Sequence, residues 1–107
     1  MRILFDQGTP APLREYFTGH SVETAYERGW STLRNGELLA KAEADFDLMV
    51  TTDRNLGSQQ NMQGRKLAIL VLPTTNWLRL RTVAGGIAAF AHMVQPGEIK
   101  EFPLPRE

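Results

Sequence analysis

The sequence predicts an α/β fold, a three-layer sandwich with a mainly parallel central sheet of four to five strands. Three observations carry this expectation. Short apolar runs alternate with helical patterns along the whole chain, the central runs are apolar throughout, and turn-forming residues cut most of them off. A strand covered on both faces reads as a continuous apolar run, and alternation with helices favours crossover connections and hence parallel pairing.

The elements follow in order. RILF, residues 2 to 5, is a first strand that runs into the turn Asp6-Gln7-Gly8-Thr9-Pro10. Thr9 is the expected cap of a helix with Pro10 at its first position and Leu13, Tyr16 and Phe17 at inward spacing. HSVETA, residues 20 to 25, is a short, half-polar second strand, followed by a loop with Gly29, Trp30 and Ser31. Asn35 is the expected cap of the helix GELLAKAEADF, whose Leu38, Leu39, Ala42 and Phe46 form one stripe. DLMVTT is the third strand, and the polar residues 55 to 65 after it read as a short helix or a mobile loop. KLAILVL, residues 66 to 72, is the strongest strand signal, and Pro73 stops it. Asn76 can cap one long helix through Leu80, Val83, Ile87, Phe90 and Val94, which Pro96-Gly97 ends, and IKEFPL offers a final edge strand.

With 107 residues and no break in composition, the chain reads as one domain spanning residues 1–107. Its 42% apolar and 22% charged residues are those of an ordinary globular protein. Twelve basic and twelve acidic residues cancel, so overall charge gives no reason for strong non-specific nucleic-acid binding, although it leaves room for a local basic patch. The absence of cysteine excludes disulfides and thiolate metal sites. MRILFD lacks the pattern of a signal peptide, and VAGGIAAFAHMV is too short to span a bilayer, so a cytoplasmic protein with no membrane partner is expected.

In a parallel sheet ligands bind beyond the carboxyl ends of the strands. Asp6, Asp53 and Thr74 each follow a strand and fall along that edge, and carboxylates at the ends of neighbouring strands, roughly 5 Å apart, can share one cation. Glu37, in the first turn of the helix feeding the third strand, is the third candidate acid. Mg²⁺ or Mn²⁺ suits such a set, because hard cations take oxygen ligands and keep waters for a substrate phosphate. Taken singly, each acid has an ordinary explanation, since Asp is a turn former and Glu is favoured near a helix start.

MRILFDQGTP, NGELLAKAEADFDLMVTTDRNL, and QQN followed by KLAILVLPTTNW together resemble the small PIN-like domains, nearly over the full length of the chain. These are predicted metal-dependent nucleases related to the toxins of toxin–antitoxin pairs. The resemblance implies a Mg²⁺- or Mn²⁺-dependent endoribonuclease acting on RNA, with an antitoxin protein as a partner. By position, Asp6 matches the first acid, Glu37 the helical acid and Asp53 the acid after the third strand, as both catalytic residues and metal ligands. The fourth acid usual in the wider family falls at Asn55, whose amide can donate a carbonyl ligand or orient water at the cost of one negative charge. Thr51, Thr52 and Asn55 are expected to support the acids or orient substrate.

Arg34, Arg54, Arg65 and Lys66 are candidate phosphate contacts or solvated surface. Trp30 and Trp77 are candidates for base stacking or for packing. Gln59, Gln60 and Asn61 could bond bases, ribose or water, or cap a short helix. Gly85-Gly86 costs roughly 2 kcal/mol of helix propensity, which suggests either a close helix approach, as in a homodimer through Ala84, Ala88 and Ala91, or a local kink. His20 and His92 have no partner at metal-ligand spacing in the sequence and read as structural or surface residues. Two alternatives to the nuclease stand beside it. One is a non-catalytic PIN-like binding or regulatory domain; the other is a receiver-like phosphoacceptor with Asp53 and Thr74 in the key positions, against which stand the single acid at Asp6 and the lack of a lysine after a fifth buried strand.

Overall fold

A computed structural model describes residues 1–59 and 62–104, and for 57–59 the backbone alone. Five strands, β1 (Arg2–Phe5), β2 (Ser21–Thr24), β3 (Leu48–Thr51), β4 (Ala68–Val71) and β5 (Ile99–Glu101), form one sheet in the order β2-β1-β3-β4-β5. Every pair is parallel, with Ile3 opposite Val22 on one side and Leu48 on the other, Leu48 opposite Ala68, and Ile69 opposite Ile99. The expected α/β sandwich with a parallel sheet is what the chain forms.

The apolar runs explain the layers. Side chains alternate across a strand, so a run that is apolar at every position feeds two cores. Ile3, Phe5, Leu48, Val50 and Leu70 point to one face, where they meet Leu13, Phe17, Leu80, Ala84 and Ile87. Leu4, Met49, Ile69 and Val71 point to the other, where they meet Leu38, Leu39, Ala42 and Leu56. The second face is covered by helices α1 (Asn35–Asp45) and α2 (Arg54–Gln59), and the first by α3 (Trp77–Leu80), α4 (Ala84–Ala91) and a 3-10 segment at Ala11–Tyr16.

Several local expectations are corrected. Thr9 caps nothing; its hydroxyl donates to the Val50 carbonyl at 3.0 Å, tying the turn after β1 to the end of β3. The segment it precedes winds as a 3-10 helix, with the Leu13 N–H on Pro10 O and the Phe17 N–H on Arg14 O, both at 3.1 Å. Asn35 is the first residue of α1 rather than its cap, a place taken by Arg34, whose side chain makes no capping bond. Asn76 does cap, accepting from the Leu78 N–H at 3.0 Å.

The long helix expected after Asn76 is broken. A 3-10 turn at Arg81–Val83 separates α3 from α4, and the Thr82 hydroxyl donates back to Arg79 O at 2.8 Å, a competing bond that bends helices. Helix α4 ends at Ala91, well before Pro96-Gly97. Among the described residues no second helix presses on the glycine pair: a Cβ on Gly85 would meet open space, and one on Gly86 would lie 3.8 Å from the Phe102 ring. Ala84 and Ala91 are 1% exposed and belong to the chain's own core, whereas Ala88 is half-buried and Gly85 and Gly86 are exposed. Among the described residues no helix is long and apolar enough to cross a membrane.

Candidate active site

The strand order places a reversal between β1 and β3: the chain crosses from β1 outward to β2 on one side, then fills β3, β4 and β5 on the other. Helices leave such a point on opposite faces of the sheet, and a crevice opens beyond the carboxyl ends of the two strands. Asp6 follows β1 and Asp53 follows β3, and both line a cleft of about 300 Å³ at that place. Gln7, Gly8, Trp30, Ser31, Leu33, Asn35 and Leu38 complete its walls. A groove of about 320 Å³ on the other side of the Gln7-Gly8 turn shares Asp6 and runs past Thr24 to Tyr26, which is 84% exposed.

Thr51 ties the two acids together. It is the one fully buried polar side chain among the described residues, and its hydroxyl donates to Asp6 Oδ2 at 2.8 Å while accepting the Asp53 N–H at 3.1 Å. Asp6 Oδ1 takes the Gln7 N–H at 2.8 Å, and the Asp6 N–H in turn donates to Val50 O at 2.9 Å. Burial is the largest influence on the Asp6 carboxyl and raises its pKa above the ordinary value; the bonds from Thr51 and Gln7 pull it back, and the charge of Asp53 raises it further. A group that costs energy to ionise, beside a second carboxylate, is a place where a cation is favoured.

Asp53 also does what an aspartate in a turn does. Its Oδ1 accepts the Asn55 N–H at 2.9 Å and its carbonyl the Leu56 N–H at 3.2 Å, so it caps α2. Asn55 enters the site through this backbone bond; its side chain is exposed. Thr52 packs against the turn after β1: a Cβ on Gly8 would lie 2.8 Å from Thr52 Oγ1, and Gly8 has φ of +93°. This position admits only glycine, and it lets two loops meet beneath the cleft.

Glu37 sits in the first turn of α1, as expected, but it is exposed and does not line the cleft. Its neighbours Asn35 and Leu38, three apart on one helix face, line it instead. Among the described residues no three His, Cys, Asp or Glu side chains are grouped to hold a metal ion. The chemistry that remains is that of two carboxylates, a donor set sufficient for Mg²⁺ or Mn²⁺, which binds through one or two carboxylates with water and substrate oxygens filling its other positions.

The basic candidates divide by strand direction. Arg65 and Lys66 precede β4, so they stand at the amino edge of the sheet, away from the acids; Lys66 lines a separate depression with Arg2 and Asp47. As candidate phosphate contacts, these two therefore stand away from the acidic cleft. Arg54 begins α2 next to Asp53, and its Nε is 3.0 Å from Glu101 Oε1. Arg34 is exposed at the start of α1. Thr74 accepts the Asn76 N–H at 3.1 Å and does not line the cleft. Trp77 packs against the core and beside Tyr16 at a ring separation of 6.2 Å. Trp30 both packs and lines the cleft, with Phe46 edge-on to it and the Arg28 guanidinium 5.1 Å from its ring centre. Gln60 and Asn61 lie outside the described residues, as does the side chain of Gln59.

Sequence reasoning missed Gln7, Ser31 and Asn35 as cleft residues. Asn35 carries the one usable signal, an amide at a helix start on the same edge as the acids. Comparison with protein-family models, with curated proteins and with solved structures gave no significant match.

Proposed function

We propose that the chain is a metal-dependent nuclease of PIN-like type that hydrolyses RNA phosphodiesters at the Asp6–Asp53 cleft, in the manner of the toxin of a cytoplasmic toxin–antitoxin pair. The observation that carries this reading is that one buried threonine hydroxyl joins the Asp6 carboxylate to the Asp53 backbone N–H, with both acids lining one cleft at the point where the strand order reverses. Asp6 and Asp53 would hold Mg²⁺ or Mn²⁺, which when bound supplies charge neutralisation at the phosphate and a more acidic water. Thr51 fixes the Asp6 carboxylate and the Asp53 backbone, and the Asn55 N–H holds the Asp53 carboxylate, so the acids are set in place before charge develops. Ser31 and Asn35 supply polar groups on the wall facing them, suited to a phosphate or ribose oxygen. Tyr26, exposed at the end of the adjoining groove, offers a face on which an unpaired base can stack. Glu37 stands at the edge of this arrangement and would contribute less than the two cleft acids.

The test is Mn²⁺-dependent cleavage of single-stranded RNA by the wild type and by Asp53→Asn. Asparagine caps helices about as well as aspartate, so the variant retains the fold while losing the charge. Loss of cleavage by about 100-fold or more is expected, in line with removal of a group that stabilises the transition state; undiminished cleavage would reject the site. In cells, expression of the wild type without its antitoxin should arrest growth, and Asp53→Asn should relieve the arrest.

One observation favours a second reading. The order β2-β1-β3-β4-β5 is also that of phosphoacceptor receivers, in which the acid after β3 is phosphorylated. Against it, Thr74 is turned to its own helix start, and the residue after β5 is Phe102 where a lysine is needed. A mass gain of one phosphoryl group on Asp53 after treatment with acetyl phosphate would establish that reading. Failure of both tests, with Mn²⁺ leaving the folded protein unbound, would leave a non-catalytic binding domain.

A further inference from the structure

His20 and His92 are 72 residues apart in the chain, and the fold brings their rings together at the amino edge of the sheet, the end away from the acidic cleft. His20 immediately precedes β2, and His92 is the residue that closes α4. Their Nε2 atoms lie 3.3 Å apart, with ring centres separated by 4.9 Å and planes inclined at 49°. Two ring nitrogens bound to one tetrahedral zinc ion, each at about 2.0–2.1 Å, stand about 3.3–3.4 Å from one another. The observed spacing is that of two ligands on one ion.

Both rings are set in place by what surrounds them. The His92 backbone N–H donates to Ala89 O at 3.2 Å, which holds the residue on the last turn of α4. The His20 backbone N–H donates to Phe17 O at 3.3 Å, and its Nδ1 accepts from the Met1 amino group at 2.9 Å. His92 is exposed and His20 half-buried, so the pair can be reached from solvent.

We propose that His20 and His92 form a chelating site for a borderline divalent ion of the zinc class, separate from the Asp6–Asp53 cleft. Imidazole suits zinc, nickel and copper, whereas magnesium and manganese prefer the oxygen donors at the other edge. For the ion to bind, the Nε2 proton of His20 leaves to solvent and the Met1 ammonium passes a proton to His20 Nδ1, so that both Nε2 atoms present lone pairs; water completes the coordination. Because the two ligands come from β2's entry and α4's exit, occupation clamps one edge strand to the helical layer and stabilises the folded state by mass action.

The test is calorimetric titration of the intact chain with ZnCl₂, paired with thermal denaturation at the same concentrations. Uptake of one ion with a dissociation constant below about 1 mM is expected, together with a rise in Tm. In His92→Gln and in His20→Gln the affinity should fall by about 10- to 100-fold or more, the loss that disturbing even an outer partner of a ligand imidazole produces, and the rise in Tm should vanish. Asp53→Asn should bind zinc as the wild type does. Equal uptake by both histidine variants, or uptake lost in Asp53→Asn, would overturn the proposal, as would a wild type that takes up no zinc. The paired variants guard against one of them failing to fold.

Discussion

At the scale of single residues, Asp6 shows how the cleft trades stability for charge. Its carboxyl titrates above the ordinary value of 3.8, chiefly because it is buried. The folded state therefore binds that proton more tightly than the unfolded state does. The stabilisation this provides is complete below the unfolded value and is lost as pH rises through the folded one. Asp6→Asn has no such loss, so the Tm of the variant relative to wild type should climb with pH across that interval and then level off. A difference that stays flat with pH would show that Asp6 ionises in the folded chain as freely as in the unfolded one. Gly8 poses a steric demand at the same place. Gly8→Ala would push a methyl group to within 2.8 Å of Thr52 Oγ1 at a φ of +93°, and a loss of about 1–3 kcal/mol is expected from such strain. Asp6, Asp53 and the glycine turn were all legible in the sequence, because each follows an apolar run that could only be a strand. Thr51 was legible only as a neighbour, since its role depends on β1 and β3 lying side by side.

At the scale of elements, the strands were read more surely than the helices. A fully buried strand announces itself in a run of three or four consecutive apolar residues, as LMV before Thr51 and AILV do here, with every position of both strands buried. A helix boundary depends on which of several competing hydrogen bonds wins. Thr9 was drawn to the Val50 carbonyl, Thr82 to Arg79 O, and neither outcome is encoded locally. Glu43 illustrates the same limit: from the last turn of α1 its two carboxylate oxygens accept the Lys66 and Leu67 N–H groups at 2.7 and 2.9 Å, a clamp across 23 and 24 residues that no periodicity reveals. The glycine pair of α4 gives a measurable contrast with Gly8. Gly85 adopts no positive φ and has open space around it, so Gly85→Ala should raise stability by about 0.5–1 kcal/mol in chemical denaturation. Destabilisation instead would mean that something not seen here presses on that face.

At the scale of the whole molecule, the parallel sheet decides which residues can cooperate. Every strand delivers its following residue to one edge and receives its preceding residue from the other, so the carboxyl edge collects Asp6 and Asp53 while the amino edge collects His20, Arg65 and Lys66. The sequence therefore sorted correctly the residues that follow strands, and it misplaced the basic residues that precede one. Glu37 marks the remaining gap: its turn of helix arrives at the right edge, but helical phase directs Asn35 and Leu38 to the cleft, and no strand pattern fixes that phase to within one residue. The histidine pair was invisible for the same reason, as its members enter the amino edge from a strand start and a helix end.

The last strand carries a consequence of its own. β5 is three residues long and bears Lys100 and Glu101, yet it shields the open hydrogen-bonding side of β4, whose AILV sequence is apolar at every position. Short, charged border strands are how sheets avoid recruiting other chains. Phe102 fastens this cover, its N–H on Val71 O at 2.8 Å and its ring edge-on to Phe90 at 5.5 Å. A chain cut before Glu98 would present four sticky residues as a template for intermolecular pairing. Light scattering of that truncated form should show self-association that the full chain lacks, and a monodisperse truncated form would show that β4 needs no guard. The segment Ile99–Phe102 thus guards the strand beside it through backbone pairing, a role that neither its length nor its own burial would suggest.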